Sequence, residues 1–78
     1  MDKSVYTGQS KRFCALLIAA RKTAGLTQTE LAKRIGVDQA FISKYENGDR
    51  RLDVVEFLQI AEALNVDPTS IMKVLKES

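Results

Sequence analysis

In the run QAFISKYEN, Gln39, Ser43 and Lys44 can share one side of a helix while Ile42 and Tyr45 fall on the other. An amide, a hydroxyl and an ammonium group on one exposed face suit hydrogen bonding to base edges better than catalysis. Gln39 can pair bidentately with N6 and N7 of adenine, and Ser43 can donate to or accept from several bases. Lys44 can reach guanine or a phosphate, and Ala40 can at most touch a thymine methyl. Phe41 is open to two readings: it packs on a thymine methyl or the sugar backbone, or it folds against Tyr45 four residues on. Nothing here resembles an active site. Histidine is absent, Ser43 has no base nearby, and no nucleophile elbow, phosphate loop or metal-ligand cluster is present.

The stretch Gln28 to Asn47 contains the elements that must hold this face outward. Thr27-Gln28-Thr29-Glu30 is a capping box, in which the Thr27 hydroxyl accepts the Glu30 amide and Glu30 reaches back. It opens a helix over about 28 to 35 with an apolar stripe of Leu31 and Ile35, and Ala32 is small enough for a second helix to cross closely. Gly36 permits a left-handed corner, Val37 plugs the gap, and Asp38 caps a second helix over about 39 to 47. Together these make a helix-turn-helix, whose second helix is free to enter a DNA major groove. Gln28 begins its helix where backbone amides and the dipole favour a phosphate. Asn47, at the end of the second helix, and Arg50 and Arg51 in the following loop are placed on the DNA backbone.

The remaining chain reads as scaffold. Residues 1–9 are a polar, patternless, flexible arm, and residues 10–78 form the DNA-binding domain. Helix one covers 10 to about 24, with Phe13, Leu16, Leu17 and Ala20 as its stripe and Gly25 as its stop. Asp53 with Glu56 caps helix four, whose stripe is Val54, Phe57, Leu58, Ala61 and Leu64. Asn65-Val66 turns the chain, and Asp67-Pro68 starts helix five, with Ile71, Val74 and Leu75 inward. The fold class is all-α, a compact bundle of five short helices with one core.

These residues resemble the phage-repressor (Cro-like, XRE-type) helix-turn-helix family. The resemblance rests on Gly25-Leu26-Thr27-Gln28, Leu31-Ala32, Gly36-Val37, Ile42 to Gly48 and Ala61 to Val66, in family order, and spans roughly residues 11 to 76. It implies a lambda-repressor-like bundle that binds double-stranded operator DNA, commonly as a homodimer. It also implies that the Gln28 side chain adds a hydrogen bond to a phosphate. Finally, it implies that Arg21 pairs with Glu46 and clamps the recognition helix to helix one; breaking such a pair strands a partly buried charge.

Composition agrees with this reading. The formal net charge of the 78 residues is only +2, but it is unevenly distributed. Residues 3–51 hold ten Lys/Arg against four Asp/Glu, and residues 52–78 hold two against five. The half containing the motif is therefore basic, as a phosphate-facing surface requires. A lone cysteine, Cys14, excludes an intrachain disulfide and, with no histidine, the usual zinc sets; it suits a reducing cytoplasm. The apolar run from Phe13 to Ala20 after Lys11-Arg12 mimics a signal peptide, but it is short and is followed at once by Arg21-Lys22. No cofactor, metal, membrane or small-molecule ligand is expected.

The expected function is a sequence-specific DNA-binding regulator, most simply a repressor, acting as a homodimer on an inverted repeat. Ile71, Met72, Val74 and Leu75 are the candidate dimer surface. The alternative is an antitoxin-like or adaptor module that binds another protein, with DNA binding secondary.

Overall fold

Left-handed residues cut this chain into helices. In the computed structural model, which describes residues 3–77 and side-chain surroundings from residue 8 onward, Gly25, Gly36, Gly48 and Asn65 all have positive φ. Each sits just past a helix, and the next amide reaches back to a carbonyl five residues earlier. These bonds are Leu26 to Arg21 at 3.2 Å, Val37 to Ala32 at 3.0 Å, Asp49 to Lys44 at 2.8 Å and Val66 to Ala61 at 2.9 Å. The arrangement satisfies carbonyls that a helix end otherwise leaves bare. At Gly36, φ is +74°, and a side chain there would meet no neighbour but would strain the backbone.

The described residues form five α-helices: α1 Lys3–Thr23, α2 Gln28–Ile35, α3 Gln39–Glu46, α4 Val54–Ala63 and α5 Pro68–Glu77. Capping boxes open α2 and α4. The Glu30 amide donates to Thr27 Oγ1 at 3.1 Å and the Glu56 amide to Asp53 Oδ1 at 2.7 Å, with both glutamates returning the bond. Asp67 accepts the Thr69 amide at 3.0 Å and starts α5 at Pro68 as expected. Asp38 stands at the N-cap of α3 with extended backbone, but its side chain makes no capping bond. The corner at Gly36 and the packing of α3 on α2 carry that helix start instead.

One core draws on every helix. Leu17, Leu31, Ile42, Tyr45 and Ile60 are essentially inaccessible, and Leu26, Ala32, Phe57, Leu64 and Ile71 join them. Phe13 closes one end with its ring edge-on to Phe57, centroids 5.1 Å apart. Burying a large aliphatic side chain contributes about 1.5–3 kcal/mol, so these few residues supply most of the stability. α3 packs on α1 and α2, α4 on α2, and α5 on α1 and α4.

Three expectations differ from the structure. Of the expected arm, Met1 and Asp2 lie outside the described residues, while the backbone is helical from Lys3, so α1 starts well before Ser10. Gly8 is the weakest helix former in that stretch, and its cost of about 1 kcal/mol does not stop propagation from an established helix. In α4 the buried stripe is Phe57, Ile60, Ala61 and Leu64, whereas Val54 is 72% exposed and Leu58 also faces outward. Phe57, Ala61 and Leu64 are buried as expected, and packing against α2 and α5 adds Ile60 in place of Val54 and Leu58. Ile71, expected both to point inward and to help form a dimer surface, belongs to the core of the single chain; of its companions Val74 and Leu75 are half-buried and Met72 is exposed.

Candidate nucleic-acid interface

α3 is anchored by Ile42 and Tyr45, which turn its other side to solvent. Gln39, Ala40 and Lys44 are exposed, as are Asn47, Arg50 and Arg51 beyond it, and Ser43 is half-buried. The Cys14 thiol donates to the Tyr45 carbonyl at 3.1 Å, tying the end of α3 to α1. Burial pushes the Cys14 thiol pKa up, which keeps it protonated and a donor.

The expected pair of Arg21 and Glu46 is present. Arg21 Nε donates to Glu46 Oε2 at 2.8 Å and Nη2 to Oε1 at 3.1 Å, a two-pronged contact of the strong kind. The side chains are only 12% and 4% exposed, so the pair is largely shut from water. Arg21 Nη1 also donates to the Leu26 carbonyl at 2.8 Å, which extends the clamp to the segment before α2. The Glu46 carboxylate holds the guanidinium pKa above even its usual high value.

Two further bonds were not foreseen. Gln28 Nε2 donates to Glu46 Oε1 at 2.9 Å, and Gln39 Nε2 donates to Gln28 Oε1 at 2.6 Å. A continuous polar chain thus runs from Arg21 in α1, through Glu46 and Gln28, to Gln39 at the start of α3. The available signal was that Gln28, Gln39 and Glu46 all border the α2–α3 crossing. Their mutual distances, however, depend on the crossing itself. Gln28, expected to face a phosphate, is engaged on both ends of its amide here, with one N–H of Nε2 remaining.

Phe41 takes the inward of its two readings. Half-buried, it meets the Tyr45 ring edge-on at 5.9 Å, because a partner four residues on lies directly above it on the helix. The Arg50 guanidinium carbon stands 4.4 Å from its centroid. Arg50, expected to lie along a phosphate, is also held by Glu56, with Nη1 to Oε1 at 3.0 Å and Nη2 to Oε2 at 2.8 Å. Loop and recognition helix are thereby braced against the cap of α4. The Arg50 bond and, next, the Asp53 amide hold the Glu56 carboxyl below its ordinary range.

A short helix anchored by buried Ile42, Tyr45 and Glu46, with Gln39, Ala40 and Lys44 turned to solvent, is the second helix of a DNA-reading helix-turn-helix domain. The Helix-turn-helix family profile matches residues 17–71, and the chain belongs to that family, in its XRE-type branch of DNA-binding regulators rather than enzymes. An XRE-family like protein from Pseudomonas syringae pv. tomato is 40% identical and superposes with a TM-score of 0.91 over 96% of this chain and 92% of that one. The restriction-modification controller protein C.AhdI from Aeromonas hydrophila is 30% identical, with a TM-score of 0.76 over 82% of this chain and 97% of that one. Antitoxin HipB from Escherichia coli K12 is 41% identical over 49 residues, 63% of this chain, and the match spans 56% of HipB. The chain thus spans about half the length of that relative. No helix among the described residues is long and apolar enough to cross a membrane.

Proposed function

We propose that this DNA-binding regulator is a cytoplasmic transcriptional repressor that reads an inverted-repeat operator as a homodimer, with α3 in the major groove. The observation that carries the reading is the division of α3: Ile42, Tyr45 and Glu46 are buried, while Gln39, Ala40 and Lys44 are exposed. Gln39 reads adenine, Ser43 and Lys44 read neighbouring bases, and Ala40 meets a thymine methyl. The capping box uses the Thr27 and Glu30 amides and leaves those of Gln28 and Thr29 to face a phosphate, joined by Asn47, Arg51 and the brace formed by Arg50.

A reader this small makes few base contacts, so two copies on half-sites one helical turn apart, ~34 Å, supply useful affinity. Exposed Met72 on α5 offers apolar area to a second copy. Selection of bound duplexes from a random library tests the reading. A single enriched palindrome is expected, with affinity falling steeply with salt; no enrichment, or an asymmetric single site, overturns it.

A second reading draws on the likeness to antitoxin HipB and on Val54, Val55 and Leu58, which stand exposed on α4. On that reading α4 docks another protein and DNA binding is secondary. Gel filtration of the chain with operator DNA and with cell extract separates the two.

A further inference from the structure

The chain of bonds from Arg21 to Gln39 does more than hold α3 in place. Resting on the reading that Gln39 meets a base, we infer that Glu46 is a remote positioning residue that sets which base Gln39 accepts, acting through the Gln28 amide.

Glu46 can only accept hydrogen bonds, and it is buried and charged, its two oxygens facing Arg21. Whatever part of Gln28 lies 2.9 Å from Oε1 must therefore be a donor, the NH2 end of its amide. Turning that amide over would set a carbonyl oxygen against a carboxylate oxygen in a site with little water to screen the repulsion. With the NH2 end committed, the Gln28 carbonyl must face α3, and there it accepts the Gln39 amide nitrogen at 2.6 Å. The same logic passes one residue further. Gln39 has its NH2 end held by Gln28, so it presents one remaining N–H and its carbonyl oxygen in a set order.

That order matches one base edge. Adenine shows an acceptor at N7 and a donor at N6 in the major groove, which the held amide satisfies with its free N–H and its oxygen. Guanine shows acceptors at both N7 and O6. An unrestrained glutamine can meet guanine by rotating its NH2 group toward the pair. The held one cannot do so without breaking the bond to Gln28, and otherwise it turns its oxygen toward O6. Glu46 lies at the opposite end of α3 from Gln39 and never touches the base.

The test uses the operator recovered by selection, with the base pair under Gln39 located by the position whose preference vanishes in Gln39→Ala. Kd is measured for that site as A·T and as G·C. The intact protein is expected to favour A·T by about ten-fold or more, the range of a good bidentate contact. Glu46→Gln replaces an acceptor-only group by one that can also donate, so Gln28 is free to turn, and the preference is expected to shrink to about three-fold or less. Gln28→Leu removes the middle link without altering the ion pair and is expected to give the same loss. In the Gln28→Leu background, Glu46→Gln is expected to change the ratio no further. An unchanged A-over-G ratio in either single variant overturns the inference, as does a further change in the double variant or a guanine selected at that position. If Glu46→Gln does not fold, as judged by thermal melting, the double variant Glu46→Leu with Arg21→Met, which removes both charges of the pair together, is measured in its place. It is expected to give the same loss, and an unchanged ratio there overturns the inference. Failure of the underlying reading looks different, because Gln39→Ala would then abolish the preference at no position of the selected site.

Discussion

At the scale of single residues, the ion pair of Arg21 and Glu46 and the aromatic pair of Phe41 and Tyr45 each predict a loss of stability, of different size, when one partner is truncated. Removing one partner from a mostly buried ion pair leaves the other desolvated, which costs more than the intact pair contributes. Glu46→Ala is expected to lose about 3 kcal/mol by urea unfolding, and operator affinity should fall with it. Phe41→Ala removes a half-buried ring, its edge contact with Tyr45 and its place beneath Arg50. A stability loss of about 1–2 kcal/mol is expected in the same assay. A Phe41→Ala protein that melts like the parent but binds operator weakly would return Phe41 to the groove. Arg50 belongs to the same local account, because its charge is engaged by Glu56 before any phosphate arrives.

At the scale of elements, helix starts are electrostatic devices and their strength depends on pH. Glu56 serves both the capping box of α4 and the pair with Arg50, and both interactions lower its pKa from the ordinary 4.5. A carboxylate whose folded pKa is depressed stabilises the fold above its unfolded value. That contribution disappears as pH falls from there through the lower folded value. Glu30 in the α2 box and Asp67 at the start of α5 are shifted the same way, by the Thr27 and Thr69 bonds respectively. Thermal midpoints are therefore expected to fall as pH drops below about 4.5, with Glu56→Gln showing a lower midpoint at pH 7 and a shallower acid slope. An equally steep slope in Glu56→Gln would show that its carboxylate is not part of the acid response. These starts were readable because a capping box is a four-residue pattern. Asp38, a good N-cap by type, shows the limit: its side chain makes no bond, and α3 is held by long-range contacts instead.

At the scale of the whole molecule, the question is what covers the apolar groups left outside the core. Met72 is 50% exposed on α5, where a second copy would meet it in the proposed homodimer. Met72→Glu is expected to shift the sedimentation profile toward monomer and to weaken operator binding, while leaving the melting temperature of the monomer within a few degrees. A dimer that persists unchanged would direct attention to Val54, Val55 and Leu58 on α4 instead. The uneven charge works at this scale too. A basic stretch through residue 51 and an acidic remainder orient the molecule toward a phosphate backbone before any specific contact forms.

Local chemistry by itself determined where α2, α4 and α5 begin and where most helices end, that two of them form a helix-turn-helix, and which side of α3 faces away from the core. Capping boxes, left-handed residues and apolar spacing act within a few residues of one another, so their outcome is written in the order of the amino acids. Tertiary structure decided that Ile60 rather than Val54 or Leu58 completes the buried stripe of α4, and that Arg50 turns to Glu56. It also joined Arg21, Glu46, Gln28 and Gln39 into one polar chain. Each of those outcomes depends on distances between groups on different elements, and such distances exist only once the helices have packed at their crossing angles.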